Sequence, residues 1–150
     1  MLRPVAASAL LLLFAAPAHG APEPAGQYVK RLYRLQVGQQ FGKVWDTLHP
    51  AQQRLVPRKR YAQCETRRRI GYRLELKKIA VLSTETGRFH LEGTSLRVAA
   101  TTVRIRIDVL VNDFLNRETI DIHVVAVHGK WRWAMERDTA LAYKAGRCPS

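Results

Sequence analysis

The segment Val103-Arg104-Ile105-Arg106-Ile107-Asp108-Val109-Leu110-Val111 carries a β-branched apolar residue at every odd-numbered position. Its even positions include the charged residues Arg104, Arg106 and Asp108. Because successive side chains of a strand point to opposite faces, this alternation predicts a strand with one wholly apolar face. Such a face has to pack against a second layer, so the segment predicts half of a two-layer core.

The same period of two continues on both sides of this strand. Downstream, residues 120–124 alternate again, the His128-Gly129 pair suits a tight turn, and residues 131–135 read as a last strand. Residues 112–116 (Asn-Asp-Phe-Leu-Asn) are predicted to form the intervening turn. Upstream, residues 78–83 are β-prone. These patterns predict an antiparallel sheet of about four strands.

The stretch between residues 84 and 100 is ambiguous. It contains Gly87 and Gly93, and its clearest β-prone part is a short strand near residues 89–91.

The first half of the chain has helical periodicity instead. Apolar residues recur at helical spacing over residues 27–37 and 41–48, and Pro57 suits the first turn of a third helix that runs to about Arg68. Helices followed by a meander predict an α+β fold, in which the N-terminal helices cover a curved antiparallel sheet.

Residues 1–20 have the layout of an export signal. Arg3 precedes an apolar run over residues 5–16, and small residues follow, which predicts cleavage near Ala18 or Gly20. The run is shorter than the ~20 residues that a membrane-spanning helix needs. We therefore expect a secreted or periplasmic (extracytoplasmic) protein, with a flexible lead-in over residues 21–26 and a single domain over residues 27–150.

Charge is high and uneven. The 150 residues carry a formal charge of +13, and ten of the bases lie between Arg54 and Lys78. A solvated basic face is the expected interpretation, and docking on an anionic surface polymer or lipid is the functional alternative. Nucleic acid is not expected as the partner of an exported protein. The candidate anion-binding residues are Arg58, Lys59, Arg60, Arg67, Arg68 and Arg69.

Two cysteines, Cys64 and Cys148, are present. In an oxidising compartment two thiols usually pair, so we expect a disulfide that ties the third helix to the C-terminal tail. Closing a loop of this length is worth at most roughly 4–5 kcal/mol in the chain-entropy model, because strain subtracts from the entropic gain.

The chain resembles the nuclear transport factor 2-like superfamily, also called the cystatin-like or steroid-isomerase-like cone. The resemblance covers residues 27–135 and rests on the helix order and on the closing hairpin with Trp131-Arg132-Trp133. The run 44–50 (Val-Trp-Asp-Thr-Leu-His-Pro) is similar to the second helix of secreted members. The Cys64 and Arg147-Cys148-Pro149 segments resemble their bridge. The resemblance implies a cone-shaped fold, but that superfamily includes isomerases, dehydratases, ligand binders and association modules.

Candidate catalytic groups each have a structural interpretation beside the functional one. Charged residues on the faces of strands are expected to pair across the sheet, Asp46 to lie on the exposed side of its helix, and His49 to have a capping role. Spacing of the histidines does not suit a metal, and no phosphate loop or dinucleotide motif is present. The candidates are Asp46, Asp108, Asp121, His49, His123 and Tyr61.

These features favour a non-enzymatic exported domain that needs no cofactor or metal. It would bind a small apolar ligand in a cavity or associate with a secreted or envelope protein, and a homodimer through the sheet is one form of association. The alternative is an isomerase- or dehydratase-like enzyme with a carboxylate in the cavity. The aromatic residues expected to line the cavity are Tyr28, Phe41, Trp45, Tyr61 and Trp133.

Overall fold

The computed structural model describes residues 23–150. The predicted export signal, its cleavage site and the first two residues of the predicted lead-in lie outside the described residues. In chain order the described elements are α1 (Ala25–Val37), α2 (Phe41–Asp46), α3 (Pro50–Gln53), α4 (Arg58–Arg68), β1 (Leu74–His90), β2 (Arg97–Val111), β3 (Phe114–Val127), β4 (Lys130–Trp133) and α5 (Arg137–Lys144).

The four strands form one antiparallel sheet in the order β1-β2-β3-β4. The apolar face of β2 is buried, with Val103, Ile105 and Ile107 at most 1 % exposed. On β3, Ile122 and Ile120 pair with Val103 and Ile105 and continue this face. The α+β prediction, with N-terminal helices on an antiparallel sheet of four strands, is confirmed.

Strand β1 is longer than the sequence predicted. It pairs with β2 over its whole length, from Leu74 opposite Val111 to His90 opposite Arg97. The ambiguous stretch 84–100 therefore belongs mostly to this hairpin. Two shifts in register, at Leu76/Lys78 and Val81/Ser83, interrupt the alternation. A bulge moves side chains to the other face, so a period of two cannot be followed across it in the sequence.

The turn between β2 and β3 has two residues, not the five that were predicted. Asn112 and Asp113 have φ of 49° and 73°. The left-handed region is strained for most residues but tolerated by Asn and Asp, and two such residues in succession match the twist of a hairpin. His128 and Gly129, with φ of 50° and 75°, make the tight turn between β3 and β4 that the sequence predicted.

Helix α1 begins earlier than expected, because Ala25 and Gly26 of the predicted lead-in are helical. Gly26 lies against β1, where a Cβ atom would come within 2.9 Å of Val81 Cγ2. The missing side chain lets the helix approach the sheet closely. Tyr28, Val29 and Leu32 are buried on the same side of the helix.

Helix α2 ends at Asp46, two residues before the predicted end. Leu48 forms a bridge to Trp133, and the backbone amide of His49 donates to the Trp133 carbonyl at 2.9 Å. His49 also precedes α3, where its Nδ1 accepts from the amide of Ala51 at 3.2 Å. This contact is the capping role that the sequence predicted for His49.

The C-terminal tail contains α5, which the sequence analysis missed. Ala140 and Tyr143 are buried against the core, whereas Leu141 is exposed. A helix this short has too few apolar positions for a detectable period. Beyond it, Cys148 is joined to Cys64 of α4 across a Cα–Cα distance of 5.4 Å, as expected.

Replacing both cysteines by serine should lower the free energy of unfolding by about 2–4 kcal/mol, because the open chain gains entropy when it unfolds. Urea denaturation of the double variant measures the loss. Reduced wild-type protein is the matched control and should lose a similar amount. A double variant as stable as the oxidised protein would contradict the prediction.

Acid should destabilise the protein well above the range in which carboxylates titrate. Burial lowers the pKa of both His49 and His123 below the ordinary value of 6.5. Below pH 6.5 the unfolded chain therefore binds protons that the folded chain excludes, and the free energy of unfolding falls as pH falls. Above that pH both states hold neutral imidazoles and stability is flat.

The measurement is urea denaturation over a series of pH values. His49→Asn keeps an oxygen that can cap α3 and should make the decline shallower. The exposed His128 is the control, since His128→Asn tolerates the same backbone and should leave the slope unchanged. Equal slopes in all three proteins would count against this origin of acid sensitivity.

Candidate functional site

A cavity of about 200 Å³ lies where the sheet has an open edge. Strand β4 pairs only with Val124–Val127, so the rest of β3 has no partner on that side within residues 23–150. The first turn of α5 and the buried face of α4 enclose this edge. The residues around the cavity are Gln36, Phe41, Tyr61, Glu65, Arg68, Arg69, Ile120, Asp121, Ile122, His123, Trp133, Ala134, Glu136 and Thr139.

Helix α4 supplies the polar wall of the cavity. Tyr61, Glu65 and Arg68 lie at positions i, i+4 and i+7, which share one helical face. Tyr61 and Glu65 are buried, and Arg68 lies at the rim. Burying a carboxylate is costly unless it is paired, so the neighbours of Glu65 determine whether this face is stable.

The Glu65 carboxylate accepts hydrogen bonds on both oxygens. Its Oε1 accepts from the Tyr143 hydroxyl at 2.9 Å, and its Oε2 accepts from Arg68 Nη1 at 3.1 Å. Burial and the negative charge of Glu65 raise the pKa of Tyr143 far above its ordinary value. The phenol therefore stays protonated and acts as a permanent donor to Glu65.

Tyr61 differs from Tyr143 because its hydroxyl makes no hydrogen bond with any residue in the range 23–150. It is 3 % exposed, and its ring lies 6.4 Å from Trp133 and 5.8 Å from Tyr143 between centroids. Burial has the largest effect on the pKa of Tyr61 and the charge of Glu65 the next largest. Together they raise this pKa well above its ordinary value of 10. The cavity wall thus holds a protonated phenol whose hydroxyl has no hydrogen-bond partner in the described chain.

Asp121 and His123 line the cavity, but the Asp121 carboxylate and His123 Nδ1 are bonded elsewhere. The Asp121 carboxylate pairs with Arg104 at 2.8 and 2.9 Å, and these hydrogen bonds lower its pKa. The His123 ring stacks on Phe89 at 4.1 Å, with Nδ1 3.0 Å from the Thr102 hydroxyl. Burial lowers the pKa of His123, which favours its neutral imidazole, whereas the Asp121 carboxylate is fully occupied by Arg104.

The other candidate catalytic residues lie away from the cavity. Asp46 is exposed and pairs with Arg58 at 2.8 Å, and Asp108 pairs across the sheet with Arg117 at 2.8 Å. Hydrogen bonds to arginine lower the pKa of both carboxyls. Each of these groups therefore has the structural pairing that the sequence analysis weighed against catalysis.

Of the five aromatics expected in the cavity, Phe41, Tyr61 and Trp133 line it. Tyr28 and Trp45 lie elsewhere. The Tyr28 hydroxyl donates to the Thr47 carbonyl at 3.2 Å, and Trp45 Nε1 donates to the Val56 carbonyl at 2.9 Å. Both side chains therefore bond to the loops on either side of α3 instead of facing the cavity.

The predicted basic patch is divided between two sides of α4. Arg68 and Arg69 border the cavity, whereas Arg58, Lys59 and Arg67 border an open surface groove. Arg58 and Arg68 are in ion pairs, and Arg60 donates to the Gly146 carbonyl. Lys59, Arg67 and Arg69 form no ion pair with another residue of the described part of the chain.

Glu65 and Tyr143 were not predicted as site residues from the sequence. The Tyr61-x-x-x-Glu65-x-x-Arg68 spacing could have indicated a paired carboxylate on one helical face. Tyr143 has no such signal, because it reaches Glu65 only after the tail folds back onto α4.

Two further chemistries find no support in residues 23–150. This range contains no cluster of histidine, cysteine or acidic side chains that could hold a metal ion. Its helices are all too short or too polar to cross a membrane.

Comparison with known proteins adds no family assignment. No protein-family model matches the chain, and no curated protein matches it. The class that can be stated is therefore structural: an α+β domain with a disulfide-tied tail and a cavity at the open edge of its sheet.

Removing the Tyr143 hydroxyl should destabilise the protein. Tyr143→Phe removes the 2.9 Å donor of Glu65 Oε1, which keeps only a 3.4 Å hydrogen bond from Arg68 Nη1, at a cost of about 2 kcal/mol in the free energy of unfolding. Tyr72→Phe is the matched control, since Tyr72 is half exposed and its loss should change stability little. Chemical denaturation of both variants makes the comparison, and equal effects would contradict the role assigned to Tyr143.

Proposed function

We propose that this protein is an exported, non-enzymatic binding domain that holds a small ligand in the cavity beside α4. The observation that carries the proposal is the Tyr61 hydroxyl, which lines the cavity and makes no hydrogen bond with another residue in the range 23–150. This donor is open to the cavity, so its hydrogen bond is left to water or to a bound molecule. A bound molecule with an acceptor group would provide that bond.

The walls indicate the chemistry of the ligand. Phe41, Ile120 and Trp133 offer apolar contact, while Tyr61 and Arg69 offer a neutral donor and a positive charge. A small, largely apolar molecule with one carboxylate matches this arrangement, since pockets of this kind bind by apolar burial and orient by a few polar groups. The sequence predicted a small apolar ligand, and this proposal adds that the ligand carries one carboxylate.

The isomerase- or dehydratase-like alternative keeps one supporting observation, because Glu65 lines the cavity. Its two oxygens, however, are occupied by Tyr143 and Arg68, and Asp121 is occupied by Arg104. A general base has to be accessible to the proton that it removes. These pairings favour binding over turnover.

Membership of the nuclear transport factor 2-like superfamily and export both belong to this proposal. Helices that precede a four-stranded antiparallel sheet support the first, together with a cavity between helix and sheet. A disulfide between Cys64 and Cys148 is compatible with the second, because such bonds persist in oxidising compartments.

Benzoate is a suitable probe because it combines a small apolar ring with one carboxylate. We expect saturable binding at roughly millimolar Kd, measured by isothermal titration calorimetry. Tyr61→Phe should weaken binding about tenfold, because the donor to the carboxylate is lost. Thr139→Phe, which places a larger side chain in the cavity, should abolish binding.

Tyr72→Phe provides the control and should bind benzoate as the wild type does. If the wild type bound neither benzoate nor neutral benzyl alcohol, the result would contradict a ligand cavity. Equal affinity of Tyr61→Phe and wild type would remove the role of Tyr61. Chemical conversion of a bound compound would favour the enzyme alternative.

A further inference from the structure

The four most exposed large apolar side chains within residues 23–150 lie in or directly beside two turns. Ile70 and Tyr72, in the loop after α4, are 72 % and 52 % exposed. Phe114 and Leu115, at the start of β3, are 79 % and 60 % exposed. We refer to these four residues as the apolar tip.

The two turns are held side by side by hydrogen bonds to Asn112. The amide of Arg73 donates to Asn112 Oδ1 at 2.7 Å, and the amide of Asn112 donates to the Arg73 carbonyl at 2.9 Å. Asn112 Nδ2 also donates to the Gly71 carbonyl at 3.2 Å. The apolar tip is therefore a single built feature at one end of the molecule.

Phe114 and Leu115 project to opposite faces of the sheet. Phe114 pairs with Val111 and Leu115 with Leu110, and neighbouring positions of a strand alternate in direction. A surface that covered one face of the hairpin would therefore contact only one of them. Both side chains leave water together if the end of the hairpin enters an apolar medium.

The surroundings of the tip are basic. Residues 67–78 and 112–118 contain seven Lys and Arg residues against three acidic ones. Asp113, at the turn itself, is neutralised by an ion pair with Arg73. Arg67 and Arg69, next to Ile70, have no ion-pair partner within the described residues. An apolar end that is surrounded by positive charge is complementary to a negatively charged surface with an apolar layer beneath it.

We propose that the apolar tip docks the protein on anionic phospholipid bilayers. Ile70, Tyr72, Phe114 and Leu115 enter the boundary between headgroups and acyl chains, and Arg67, which borders the same groove as Ile70, contacts lipid phosphates. Peripheral attachment of this kind combines apolar insertion with attraction of bases to an anionic surface. It is independent of the ligand cavity proposed above.

A second copy of the chain is a poorer occupant of this surface. In a symmetric dimer the same basic rims would face each other and repel. Four side chains also fall short of the ~800 Å² per partner that a stable protein interface buries. Charge complementarity and area both favour the bilayer.

Vesicle flotation tests the proposal, with all variants in the same full-length chain so that other segments contribute equally. The wild type should float with vesicles of phosphatidylcholine and phosphatidylglycerol more than with phosphatidylcholine alone, and less at high salt. Phe114→Ser with Leu115→Ser should lower partitioning about tenfold. Leu96→Ser with Leu141→Ser, exposed leucines outside the tip, should have little effect.

Two further variants separate charge from insertion. Arg67→Ala should lower partitioning about fivefold, whereas Arg88→Ala, a base outside the tip, should not. Phe114→Trp should add a component to the tryptophan emission that shifts to shorter wavelength with anionic vesicles, and Leu141→Trp should not.

Several results would overturn the proposal. These are the absence of a preference for anionic vesicles, equal losses in the tip and control double variants, and an unshifted emission in Phe114→Trp. A tip-dependent dimer in vesicle-free solution, detected by sedimentation, would assign the surface to a second copy instead.

Discussion

The structure depends on keeping one face of β2 out of water. Val103, Ile105 and Ile107 are essentially fully buried, and burying each such side chain is worth about 1.5–3 kcal/mol. Helix α1 packs on β1 and β2, and α2 packs between α1 and α4. The close approach at Gly26 contributes to the packing of α1 on the sheet, because it brings α1 into contact with Val81 of β1.

The cover is incomplete at the edge of β3, and the cavity is the consequence. Strand β4 has four residues, so it protects only the last part of its neighbour. The tail compensates for this by folding back over the gap. The Cys64–Cys148 bond holds the tail there, and the Tyr143–Glu65 hydrogen bond gives the buried carboxylate a donor. The disulfide and the hydrogen bond in the polar cavity wall thus both depend on the folded-back tail.

Electrostatics divides the surface into neutralised and positive regions. On the strand face opposite the helices, Arg104 pairs with Asp121 and Arg117 with Asp108. Exposed pairs contribute little stability, but they cancel local charge. The excess of bases is therefore felt on α4 and around the apolar tip. The two proposed functions draw on different parts of this excess.

The sequence by itself determined the class of fold, because apolar periodicity is a local property. The alternation from Val103 to Val111 and the helical spacing before Arg68 were sufficient to predict helices over an antiparallel sheet. Two cysteines in a chain expected to be exported were sufficient to predict their pairing. The capping role of His49 and the exposed position of Asp46 also followed from neighbouring residues.

Only the tertiary structure decided the length of β1, the presence of α5 and the composition of the cavity. Bulges in β1 broke the period that a sequence pattern needs, and α5 is stabilised by packing of Ala140 and Tyr143 more than by its own pattern. Tyr143 and Glu65 are 78 residues apart. Their contact exists because chain folding brings distant segments together, and no local spacing encodes such a meeting. The apolar tip has the same origin, since Asn112 joins two turns that the sequence keeps far apart.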